Sequence, residues 1–170
     1  MDMPMVVMRL LHILLGVFWA GTLIFMAFFL EPSIRAAMPE SGKVMQQLQR
    51  RRLMTVMPVV ALLTILSGVG LMWRISGGMD PAWFRSSAGR ALSYGAGAAL
   101  LAFVVGVAVM RPAQLKAFAL AQQLAQAGGP APEARQTELA ALRRRGTMSM
   151  RWVAALLVVA VAAMAIARYV

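Results

Sequence analysis

Residues 5–30 read MVVMRLLHILLGVFWAGTLIFMAFFL, an almost unbroken apolar run whose ionisable groups are Arg9 and His12. About 20 apolar residues suffice for a helix to cross the hydrocarbon core of a bilayer. This run is long enough, and it is too long for the apolar part of a signal peptide, with no small-residue cleavage site after it. We therefore expect it to be retained as a first span, from about Met5 to about Leu30. Three further spans follow, from about Met54 to Trp73, Ala91 to Met110 and Trp152 to Ala167. The residue before a proline disfavours helix, so Glu31-Pro32 and Arg111-Pro112 are expected to end spans one and three.

The composition agrees. Of 170 residues 61% are hydrophobic and only 14% charged, whereas soluble domains carry about 25% charged residues. The expected fold is all-α, one polytopic domain over residues 1–170, with four transmembrane helices in a bundle. There is no cysteine, which excludes disulfides, thiolate metal sites and Fe–S clusters within the chain. The net charge of +11 would point a soluble protein toward nucleic acid. Here the basic residues flank the spans, so they indicate topology and anionic lipid instead.

Loops one and three share a side and hold Arg35, Lys43, Arg50, Arg51, Arg52, Arg111, Lys116, Arg135, Arg143, Arg144, Arg145 and Arg151, twelve of the seventeen basic residues. The other side holds Arg9, Arg74, Arg85, Arg90 and Arg168. Positive charge stays inside. Loops one and three are thus expected in the cytoplasm and both termini outside, in a bacterial-type inner membrane. The third loop, 112–150, is rich in helix formers and broken at Gly128-Gly129-Pro130. It should form a cytoplasmic helical hairpin that continues spans three and four. Ser41 to Arg52 should likewise extend span two. In loop two, Asp80-Pro81 forms a helix start, Ser86 or Ser87 caps span three, and Trp83 and Phe84 anchor at the interface. The small residues Ser67, Gly68, Gly70, Ser93, Gly95, Gly97 and Ala99 are expected on faces inside the bundle.

Few polar groups remain for chemistry. Between the span ends lie His12, Thr22, Thr64, Ser67, Ser93 and Tyr94, with no Asp, Glu or Lys at mid-depth. That argues against a carboxylate proton relay, and one histidine assembles no Ser-His-Asp set. His12 is the foremost candidate, since imidazole ligates haem iron, copper or zinc. Met5 and Met8 share its helix face, and thioether with imidazole suits Cu(I). In abundant Met, packing is the plainer explanation. A second grouping draws Arg9, Arg74, Arg90, Tyr94 and Trp19 toward the level of His12. Arg for carboxylates, aromatics for a ring and His for a metal would suit a haem or another porphyrin, or without the metal a quinone. Interfacial anchoring explains the same residues.

The stretch Leu11-His12-Ile13-Leu14-Leu15-Gly16-Val17-Phe18-Trp19-Ala20-Gly21 resembles the first helix of CopD-like membrane proteins, the copper-resistance D family. It is also similar to the HemJ-type protoporphyrinogen oxidases, which carry a proline after that helix, as at Pro32. The resemblance covers span one and, beyond it, the general plan. It implies haem or copper binding with His12 and Trp19 as site residues. If the chain is an enzyme, the resemblance implies a haem-dependent membrane oxidoreductase. HemJ-type proteins continue past the proline with a histidine-containing segment, whereas here Ser33-Ile34-Arg35 follows. With one histidine, bis-histidine haem ligation needs His12 of a second copy, and otherwise His12 acts with a Met or an open position. Two alternatives stay open. One is a non-catalytic accessory or assembly subunit of a larger membrane complex, and the other a quinone- or lipid-binding protein.

Overall fold

The computed structural model describes residues 3–37 and 42–170. Six helices follow in order: α1 Met3–Ala36, α2 Gly42–Arg50, α3 Leu53–Ile75, α4 Pro81–Arg85, α5 Ser87–Ala127 and α6 Glu133–Ile166. Among the described residues there is no strand. Helices α1, α3, α5 and α6 are each long and apolar enough to cross a membrane, so the fold is an all-α bundle suited to a lipid bilayer. Ser41, the first residue of the expected extension of span two, lies outside the described residues.

Two expected helix ends are corrected. Pro32 and Pro112 do not stop α1 and α5. Each is preceded by one turn of π-helix, Met26–Leu30 and Gly106–Met110. Proline lacks an N–H and its ring collides with the carbonyl four residues back. A wider turn just ahead of it relieves that collision. Glu31 N–H then donates to Met26 O and Arg111 N–H to Gly106 O, five residues back in each case. The helices resume, so α5 runs 41 residues, about 60 Å at 1.5 Å per residue. That is twice a bilayer core of about 30 Å.

Pro58 poses the same problem inside α3 and is answered differently. The carbonyl it leaves without a helical donor is that of Met54. Arg111 Nε donates to Met54 O at 3.1 Å, which ties α5 to α3. A further correction concerns α2. It does not extend α3, because Arg52 between them is left-handed at φ 57°.

The expected hairpin is present. Gly128 takes φ 67°, the left-handed conformation that glycine adopts without strain, and α5 and α6 pack beyond the turn. Gly146 permits their close approach, since a Cβ there would lie 3.1 Å from Gln114 Cγ. In loop two Asp80 accepts from Ala82 N–H at 2.9 Å and Ser86 from Gly89 N–H at 3.0 Å. The caps fall as the sequence predicts, with Ser86 taking the role rather than Ser87. Trp83 and Phe84 pack edge to face.

Helix α1 lies along α3 and α5 along α6, and contacts of α1 with α6 and α3 with α5 close the bundle. The core gathers Trp19, Leu23, Ala27, Ala61, Ala102, Val153 and Leu157 where the four meet. Of the small residues, Gly95 faces inward, its absent Cβ 3.1 Å from Ala160 O and Met164 Cγ. Gly97, expected inside, is exposed, with nothing within 4 Å of a Cβ. Two residues turn a helix by about 200°, and on α5 this carries Gly97 away from α6. Gly95→Leu should therefore lower bundle stability by about 1–3 kcal/mol through overpacking, while Gly97→Leu should stay within about 0.5 kcal/mol. Thermal unfolding of the two purified variants in detergent measures the contrast.

Candidate functional site

The interface between α1 and α3 is cut to fit two side chains of α1. At Gly68 an added Cβ would lie 2.8 Å from His12 Cε1, and at Gly70 one would lie 2.6 Å from Met8 Sδ. Both distances are below any real Cβ contact. The two glycines thus form notches that accept the imidazole and the thioether, with Gly16 of α1 closing against Thr64 one turn further in. Two-residue spacing at 68 and 70, read from sequence only as packing, is the receptacle for the Met8–His12 face.

The imidazole is oriented by backbone. His12 Nδ1 lies 2.8 Å from Thr64 O. A carbonyl oxygen only accepts, so the proton of this bond resides on Nδ1. Ser67 Oγ stands 3.4 Å from the same nitrogen, and its own proton goes to Leu63 O at 2.8 Å or Thr64 O at 2.9 Å. In the neutral ring the lone pair is then on Nε2. Among the described residues no hydrogen bond reaches Nε2. His12 itself is half-buried. A histidine fixed through one nitrogen to a backbone carbonyl, with the other left as an acceptor, has the arrangement of a metal-ligating imidazole.

The other predicted residues divide. Met5 and Met8 are half-buried on the His12 face. Trp19 is 4% exposed, seven residues and about 10 Å along the helix from His12, and it packs in the core with Leu23, Met57 and Ala61. The grouping with Arg9, Arg90 and Tyr94 is not formed. Arg9 and Arg90 are exposed, and Tyr94 is 73% exposed on a helix packed mainly against α6. The Gly95 and Ala102 face of α5 turns to the bundle and carries Tyr94 outward. Arg74 is also exposed. Among the described residues no three His, Cys, Asp or Glu side chains come together.

A second site escaped the sequence. Where α1 emerges beside the α5–α6 hairpin lies a cavity of about 460 Å³. Met26, Leu30, Met54, Phe118 and Met150 are among its apolar wall, and its polar part includes Glu31, Arg35, Gln114, Arg143 and Thr147 with Gln46 and Gln49 of α2 and Gln122 of α5. Glu31 Oε1 accepts from Arg35 Nε and from Thr147 Oγ1, the latter at 2.8 Å, and Arg35 also donates to Thr147 Oγ1. This trio binds α1 to α6. Glu31 Oε2 and Gln114 Oε1 are buried without a hydrogen-bond partner. Glu31 and Arg35 at i and i+4 were the available signal. Reading Pro32 as the end of the helix removed the register that makes them neighbours on one face.

No family model matches the chain, and no curated protein and no solved structure is similar to it.

Gly68→Ala places a methyl 2.8 Å from Cε1, so the ring must shift and its bond to Thr64 O is disturbed. Nitrogen NMR of selectively labelled histidine should report a single Nδ1–H tautomer in the parent protein and a mixture in the variant. One unchanged tautomer in both would contradict the assignment.

Proposed function

We propose that this chain is a CopD/HemJ-like integral membrane protein that binds haem or copper through Nε2 of His12. The observation that carries the reading is the Nδ1 bond to Thr64 O, which fixes the ring and leaves Nε2 as the acceptor. For copper, Met8 in its notch at Gly70 supplies the nearest soft donor on the same face, with Met5 a turn away. For haem, His12 would supply the imidazole that holds the iron, with a methionine or His12 of a second copy as the further candidate. Trp19 lies too deep to touch the imidazole and belongs to the wall between the site and the rest of the bundle. The basic residues concentrated in loops one and three support a cytoplasmic side for those loops, in a bacterial-type inner membrane. The His12 site then lies toward the outer face.

An accessory role in a larger complex is the second reading. It is favoured by the thin cover on α5, where 11% of the most apolar stretch is buried against 33% for α6. A neighbouring subunit or lipid fits that open face, Tyr94 included.

The test is purification in mild detergent, followed by an absorption spectrum, metal analysis and titration with hemin or with Cu(I). The expected result is a Soret shift or stoichiometric copper, lost in His12→Ala and weakened about 10–100-fold in Gly68→Ala. Met8→Leu should weaken copper binding. A folded protein that takes up neither ligand overturns the proposal, and co-purification of a stable larger complex then favours the accessory role.

A further inference from the structure

The cavity between α1 and the α5–α6 hairpin has three features that together describe a ligand. Its wall is mostly apolar, built of residues such as Leu30, Met54 and Phe118. Two acceptors buried in its wall, Glu31 Oε2 and Gln114 Oε1, have no donor, and Gln46, Gln49 and Gln122 also line it. Arg143 lines the cavity as well, is exposed, and makes no ion pair among the described residues. An apolar body, a multiple hydrogen-bond donor and an anionic group are thus called for at one place. The volume of about 460 Å³ is within the range of small-molecule sites.

We infer that this cavity binds the head and upper chains of an aminophospholipid, with its primary ammonium on Glu31 and Gln114 and its phosphate on Arg143. The carboxylate of Glu31 is held through Oε1 by Arg35 and Thr147. Its last torsion is soft, so a small rotation turns Oε2 to a donor in the cavity. An ammonium supplies up to three donors and a charge opposite to that of the carboxylate. A trimethylated headgroup has the charge and no donor, and a glycerol headgroup has donors and no positive charge. The position suits a lipid, because α1 changes there from the apolar run ending at Leu30 to Glu31 and Arg35. The same membrane end carries the basic hairpin.

The inference does not depend on His12, whose site is nineteen residues, about 28 Å, up the same helix. The experiment uses the full chain, delipidated in detergent. It is titrated with phosphatidylethanolamine, phosphatidylcholine and phosphatidylglycerol of identical acyl chains, and bound lipid is counted by native mass spectrometry. Phosphatidylethanolamine should bind about tenfold more tightly than phosphatidylcholine, the difference expected of one charge-assisted bond, and more tightly than phosphatidylglycerol. Glu31→Gln should bring the first two to parity, and Arg143→Gln should weaken both. Ala121→Phe, which fills the cavity from its wall, should remove all three. If Glu31→Gln does not fold, the headgroup ranking in the parent chain and the loss in Ala121→Phe decide. Equal binding of the ethanolamine and choline lipids, tighter binding of the glycerol lipid, or unchanged binding in Ala121→Phe overturns the inference.

Discussion

In a bilayer core no water is at hand, so every backbone N–H and C=O must find its partner within the protein. Three prolines inside the long helices press on that constraint, and the bundle is arranged around the answers. At Pro32 and Pro112 a π-turn shifts the backbone bonds to the fifth residue back. At Pro58 the freed carbonyl of Met54 takes a donor from another helix, Arg111 Nε. Arg111 immediately precedes Pro112, so the turn that accommodates one proline delivers the guanidinium that compensates another. The donor of this charged side chain is spent on a carbonyl that Pro58 leaves without its helical partner. Removing it would expose that carbonyl's unmet bond, worth about 1–3 kcal/mol, and loosen α5 from α3.

The same rule shapes the His12 groove. Helices in lipid gain little from burying apolar surface and associate by close fit at small residues. Gly68, Gly70 and Gly95 each bring a neighbour nearer than any Cβ allows or to its limit. Close approach at Gly68 puts the imidazole within reach of a main-chain carbonyl that already serves its own helix, and carbonyl oxygen has a second lone pair to give. The tautomer of His12 is therefore a consequence of glycine spacing on the facing helix. It does not depend on the identity of the side chain at Thr64.

The spans, the hairpin and both caps of loop two were legible because each rests on short-range information: apolar length, a Gly-Gly-Pro break, Asp80 before Pro81, and Ser86 three residues before Gly89. The helix ends at Glu31 and Arg111 were misread. The rule against helix before proline is local, and the π-turn that evades it is sustained by tertiary packing that one stretch of sequence does not display. Tyr94 was assigned to the His12 cluster by depth alone. Depth follows from hydropathy, but azimuth follows from which face meets α6, and Gly95 decides that. The cavity was illegible for a related reason. Glu31, Gln114 and Thr147 are 83 and 33 residues apart in order, and only the continuation of α1 and α5 past their prolines brings them together.

The cavity is therefore a product of the two proline turns. Were α1 to stop at Pro32, Glu31 would be a helix terminus in solvent and Arg35 would have no register with it. Were α5 to stop at Pro112, Gln114 and Phe118 would not flank the cavity. Between the two sites stands a packed layer of Trp19, Leu23, Ala61, Ala102 and Val153. A cavity of about 50 Å³ is bordered by Trp19, Pro58 and Arg111, room for a few waters. The two ends are joined through α1, which carries His12 toward one and Glu31 toward the other.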